Sequence, residues 1–144
     1  MKLYLIFDGG NHASKDKEAY GSFIYHAYSK DGPVLQRARI THGIGYTNNE
    51  AEYLTLIAAL NYIIELYDAV SDIHLMIEGD SELIRNQIGI YTKTLCGDNS
   101  WTGWKVNVTH LLPLRNKARE LFEKFASFRY NHISREEVIT VLGH

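Results

Sequence analysis

The sequence predicts an α/β domain built on a five-stranded mixed sheet, its first three strands antiparallel, with helices flanking it. Three observations carry this. Three strand-like segments come first as a meander, and two later ones alternate with stretches of helical periodicity. The first segment is apolar on both faces, which places it centrally. The length, 144 residues with 45% hydrophobic and 22% charged, suits one domain over residues 1–144 with a real core.

The elements follow in order. Lys2 to Phe7 is a short apolar strand stopped at Asp8-Gly9-Gly10. Asn11 to Glu18 is polar and reads as a loop. Ala19 to Ser29, rich in tyrosine and phenylalanine, is a second strand. Lys30-Asp31-Gly32-Pro33 turns it into a third, Val34 to about Gly43. From Asn48 to Tyr67 the period changes: Leu54, Ile57, Leu60, Ile64 and Tyr67 recur at helical spacing, so this helix is expected to be largely buried. Ile73 to Ile77 is a fourth strand and Ser81 to Ile90 a short helix. Tyr91 to Val108 reads as irregular, with one at least of Trp101 and Trp104 packed. Thr109 is the expected N-cap of a helix carrying Leu114, Ala118, Leu121, Phe122 and Phe125. Phe128 to Ile133 alternates as a fifth strand. Ser134-Arg135-Glu136-Glu137 has the pattern of a capping box, and the last helix, with Val138, Val141 and Leu142 on one stripe, stops at Gly143.

Composition excludes some classes. Cys96 is the only cysteine, so no intrachain disulfide forms, and a reducing, cytoplasmic setting is expected. The N-terminus lacks the pattern of a signal peptide, and no apolar run approaches the ~20 residues of a membrane span. The net charge of −2 argues mildly against a general nucleic-acid binder. Lys105, Arg115, Lys117, Arg119, Lys124 and Arg129 nevertheless form a local basic excess, read in its helical part as a solvated face.

Three acids bear on chemistry. Asp8 and Asp80 end apolar strands, where ligands of open α/β sheets bind. Glu52 lies near the start of the long helix and faces the sheet if Leu56 and Ala59 do. Clustered carboxylates repel one another unless a cation joins them, and an oxygen-only set suits Mg²⁺ or Mn²⁺. Two such ions activate a water and stabilise the leaving oxygen of a phosphodiester. Spacing alone leaves open that these are unrelated surface acids.

The motifs around them resemble the type 1 ribonuclease H family over nearly the whole chain. Asp8-Gly9-Gly10, Thr47-Asn48-Asn49-Glu50-Ala51-Glu52-Tyr53 and Gly79-Asp80-Ser81 are similar to the segments bearing the family's first three catalytic acids. Gly103-Trp104-Lys105-Val106-Asn107 with Leu112-Pro113-Leu114, and then His132-Ile133-Ser134-Arg135-Glu136, resemble its later segments. The resemblance implies a ribonuclease H-like fold and a metal-dependent endonuclease that cuts the RNA strand of RNA–DNA hybrids; a monomer without a membrane partner is expected. It implies Asp8, Glu52 and Asp80 as ligands of two Mg²⁺ or Mn²⁺ ions, with Glu50 not a ligand. It also implies His132 as an aid to proton transfer or product departure, Asn48 and Asn49 as minor-groove contacts and Thr47 as a seat for a DNA phosphate. Asn48 reads equally as an N-cap.

One departure stands out. The family's fourth acid lies ten residues after the loop histidine, and that position here is Leu142; the asparagine four earlier is Val138. Three accounts compete: three acids suffice, with His144, its terminal carboxylate or Glu78 assisting; the enzyme is weakened; or the domain binds nucleic acid without cutting it. A different substrate, such as double-stranded RNA or branched DNA, is also compatible with the fold.

Overall fold

The computed structural model describes residues 1–143. β1 (Lys2–Gly10), β2 (Ala19–Ala27), β3 (Val34–Gly43), β4 (His74–Gly79) and β7 (Ser127–His132) form the main sheet in the order β3-β2-β1-β4-β7. The first three pair antiparallel, while β4 runs parallel to β1 and β7 parallel to β4. β1 is the middle strand, as its two apolar faces require.

The strand period of two sorts β1 onto two cores. Leu3, Leu5 and Phe7 join Phe23, Tyr25, Leu75 and Ile77 beneath α1 (Asn48–Leu66) and α3 (Leu112–Phe122). Ile6 and Ile24 face the other way, onto Val138 and Leu142 of α4 (Arg135–Leu142). Helices therefore cover both faces of the sheet. α2 (Glu82–Ile88) is short and capped by Ser81, whose hydroxyl accepts the Ile84 amide at 3.1 Å.

Close approach of α1 to the sheet depends on two glycines. A Cβ on Gly9 would meet the Ala51 carbonyl oxygen at 2.6 Å, and one on Gly21 would lie 1.9 Å from Thr55 Oγ1. With both positions bare, Ala51, Tyr53, Leu56, Ala59, Leu60 and Ile63 pack with no exposed surface. None of the helices among the described residues is long and apolar enough to cross a membrane.

Four local expectations are corrected. β1 does not stop at Asp8: after its parallel pairing ends at Ile6, it stays paired with β2 through Gly10 opposite Tyr20. The segment from Tyr91 to Val108 contains a hairpin, β5 (Ile90–Thr92) with β6 (Ser100–Thr102), held by Tyr91 stacked on Trp101. Its two ends meet where Gly89 and Gly103 pack together, a contact that only glycine permits. Thr109 does not cap α3. It opens a single 3-10 turn, and α3 begins at Leu112 without a side-chain cap, because Pro113 in its first turn has no amide to satisfy. At Ser134 only half of the capping box forms: the hydroxyl accepts the Glu137 amide at 3.2 Å, and the glutamate turns to that hydroxyl rather than to the backbone.

The basic face is also less solvated than its composition suggests. Arg119 donates to the carbonyls of Ile88 and Gln87 and lies over the Trp101 ring.

Candidate active site

α1 begins with a complete capping box. Thr47 Oγ1 accepts from the Glu50 amide at 3.1 Å, and Glu50 Oε1 accepts from the Thr47 amide at 3.0 Å. Thr47, not Asn48, is the N-cap, and Asn48 and Asn49 are the first two helical residues. Glu50 is thereby committed to the backbone. Glu52, two positions on, points elsewhere and reaches the carboxyl ends of β1 and β4.

There Asp8, Glu52 and Asp80 converge. Each offers an oxygen, and these oxygens all lie within 4.8 Å of one another. Asp8 is buried, 1% exposed, on the same strand face as Ile6, which is the face under α4. This parity explains a contact that motif reading did not anticipate. Arg135, the first residue of α4, places Nη1 2.7 Å from Asp8 Oδ2 and 3.1 Å from Asp80 Oδ2. In the sequence it stood only as a member of the Ser134 cap motif and of the His132-to-Glu136 segment, with no role assigned to it.

The electrostatics follow from burial and crowding. Burial, together with the charges of Asp80 and Asp8, pushes the Glu52 carboxyl up to about 8 against an opposing hydrogen bond from Ser81. Burial also holds Asp8 above its ordinary value; the Arg135 hydrogen bond opposes this and the charge of Asp80 adds to it. Burial is the largest single influence on Arg135 and works against the cation, but its hydrogen bond and charge attraction to Asp8, with further bonds to Tyr20 and Asp80, together outweigh it and keep the guanidinium charged. Glu52 Oε2 is buried without a hydrogen-bond partner. A buried, unsatisfied carboxylate oxygen beside two more acids, all hard oxygen donors, fits Mg²⁺ or Mn²⁺.

His132 closes β7 beside this cluster. Its Nε2–H donates to the Asp80 carbonyl at 3.2 Å, and Nδ1 lies 3.9 Å from Glu82 Oε1. Because a carbonyl only accepts, the Nε2 hydrogen is fixed by its partner. Asn48 is exposed at the end of α1, and its Oδ1 accepts from the Asn11 amide at 2.9 Å. Asn11 is a second residue that motif reading passed over, since it falls in the loop after the strand.

The candidates for a fourth ligand fall away from the site. Leu142 is buried, 4% exposed, between Val138, Ile6 and Ile24. Glu78 is not among the grouped acids; it lines a separate cavity of about 210 Å³ with Tyr4, His26 and Glu137. His144 and its terminal carboxylate lie outside the described residues. Among those described, Asp8, Glu52 and Asp80 are the one group placed to share a cation.

A central β1 flanked by β2 and β4, with three carboxylates at one end, defines the class: a ribonuclease H-like fold carrying an acidic centre. Comparison with known proteins narrows it. No protein-family model matches the sequence. The chain is 31% identical over 135 residues to ribonuclease HI of Halobacterium salinarum, covering 93% of this chain and 57% of that protein. It thus spans little more than half the length of that curated relative. The solved RNase H1 of the same archaeon superposes with a TM-score of 0.74 at 27% identity, over 96% of this chain and 89% of that one. LC11-RNase H1, isolated from compost, gives 0.75 at 26% identity over the same shares. In a second structure, matched at 24% identity and a TM-score of 0.74, LC11-RNase H1 is in complex with an RNA/DNA hybrid, again over 96% of this chain and 89% of that one. In sequence and in fold the chain is similar to type 1 ribonuclease H proteins.

Proposed function

We propose that this protein is a ribonuclease H that hydrolyses the RNA strand of RNA–DNA hybrids in a metal-dependent reaction. The observation that carries the reading is the convergence of Asp8, Glu52 and Asp80 within 4.8 Å, with one buried oxygen of Glu52 unsatisfied. The hybrid bound to LC11-RNase H1 supports the substrate.

Asp8, Glu52 and Asp80 would hold the cations. Mg²⁺ or Mn²⁺ bound there, as a pair once substrate is present, would supply an activated water and stabilise the departing 3′ oxygen. Arg135 would leave its two carboxylates as cations arrive, and its half-exposed guanidinium would then face the phosphate backbone. His132, fixed by the Asp80 carbonyl through Nε2, keeps Nδ1 for proton traffic or product departure. Asn48 and Asn49 stand exposed or half-buried at the α1 N-terminus, where they would meet the minor groove, with Thr47 seating a DNA phosphate.

The second reading is a weakened member that binds nucleic acid. Two observations favour it: Arg135 already spans two of the three acids, and the position ten residues after His132 is buried and apolar. Cleavage of a labelled RNA–DNA hybrid in Mg²⁺ and in Mn²⁺ separates the two. Cleavage abolished by both Asp8→Asn and Asp80→Asn supports the enzyme. Hybrid binding without cleavage in either metal, from folded protein, supports the module instead.

A further inference from the structure

The loop after β1 is tied to the start of α1 by one buried side chain. The Asn11 backbone N–H donates to Asn48 Oδ1 at 2.9 Å, and its Nδ2 donates to the Tyr46 carbonyl at 3.0 Å. Asn11 is 6% exposed, and its own Oδ1 is buried without a hydrogen-bond partner. The next two residues, His12 (φ 55°) and Ala13 (φ 62°), are both left-handed, and the Ser14 amide closes the turn on the Asn11 carbonyl at 3.1 Å. Neither is glycine, so the turn is strained, and the His12 ring lies against Tyr20 with centroids 4.6 Å apart. An unsatisfied buried oxygen and two strained residues in succession exceed what a plain connection between strands requires.

The hydrogen bonds fix more than the loop. A backbone N–H can only donate, so the atom of Asn48 facing Asn11 must be its oxygen. The amide NH₂ of Asn48 then points away from Asn11, on an exposed residue at the helix N-terminus. We propose that Asn11 is a positioning residue that locks the Asn48 amide with its oxygen inward and its donors outward, so that this contact reads only acceptors. In the minor groove every base pair presents acceptors at purine N3 and pyrimidine O2, and a donor-only group therefore engages hybrid without regard to sequence. An amide free to flip would lose that property. The tether from Asn11 Nδ2 to Tyr46 holds the segment before the cap, which keeps Asn48 in register with the strand that carries Asp8. The inference rests on the ribonuclease H reading and adds to it the group that orients the substrate contact.

The test is steady-state cleavage of a hybrid by Asn11→Ala and Asn11→Asp beside wild type. The second variant is isosteric and replaces the Nδ2 donor by an acceptor. KM for hybrid is expected to rise about tenfold, the scale of one lost hydrogen bond, with kcat at saturation within about twofold. Should either variant fail to fold, wild-type NMR gives the answer. On adding hybrid, the Asn48 side-chain NH₂ resonances should shift while the Asn11 backbone amide stays protected from exchange. Unchanged KM in folded variants, or an Asn11 amide that loses protection on binding, overturns the inference. Wild-type protein that neither binds nor cuts hybrid overturns the underlying reading as well, and is distinguishable because the free protein still shows the protected Asn11 amide.

Discussion

Arg135 Nη1 sits 2.7 Å from Asp8 Oδ2, so the first residue of the last helix neutralises a carboxylate buried in the first strand. The two are 127 residues apart in sequence, and the same nitrogen is 3.1 Å from Asp80. The guanidinium occupies the place where cation charge is needed when no metal is bound.

Removing it should therefore act in two directions. Arg135→Ala is expected to lower stability in metal-free buffer by about 1–2 kcal/mol, a charged hydrogen bond discounted for the half-exposed arginine. It should also tighten Mn²⁺ binding several-fold, because the ion no longer competes with an internal cation. Chemical denaturation in EDTA and calorimetric Mn²⁺ titration measure the two effects. Weaker Mn²⁺ binding in the variant would show that Arg135 assists the ion instead of competing with it.

Glu52 sets the pH dependence. With its carboxyl near 8 in the fold and 4.5 as an ordinary glutamate, the folded state holds more protons than the unfolded state between those values. Stability from this group is thus fully present below about 4.5 and is lost as pH rises toward 8. Glu52→Gln should unfold a few degrees higher than wild type at pH 9 without metal, with little difference at pH 4.5. Metal binding needs the ionised form, so wild-type Mg²⁺ affinity should rise about tenfold per pH unit up to about 8 and then level off. An affinity flat from pH 6 to 8 would contradict this.

Restoring an acid at position 142 should fail as a repair. Leu142 is enclosed by Val138, Ile6 and Ile24, on the core side of α4. Leu142→Asp loses that packing and buries a carboxylate beside aliphatic side chains, at a cost of about 3 kcal/mol or more. The expected result is a lower Tm and no gain in hybrid cleavage. A gain with unchanged Tm would mean that α4 rotates this position into the site.

Ala13 carries strain without a side chain that packs for it. At φ 62° it sits where glycine is preferred, and Ala13→Gly should stabilise the protein by up to about 1 kcal/mol. Thermal unfolding reads this directly. Destabilisation would mean that the alanine methyl contributes contacts worth more than the strain.

The sequence determined the architecture because its signals are local and repeated. The apolar faces of β1, the helical period from Asn48 and the Thr47–Glu50 cap each specify their element from neighbouring residues, and the cap also explains why Glu52 rather than Glu50 is available. Short elements were less legible: strands of three residues, such as Ile90–Thr92, carry too few alternations to show a period, and the hairpin depends on Gly89 meeting Gly103. Only the tertiary structure decided what surrounds the three acids. Strand parity turned Asp8 toward α4, which brought Arg135 onto it and kept Leu142 in the apolar cluster away from it, while Glu52 reached in from α1 with Oε2 buried and unsatisfied. Those outcomes depend on which faces of distant segments meet, and that information lies in the packing of β1 between α1 and α4, not in the neighbours of any one residue.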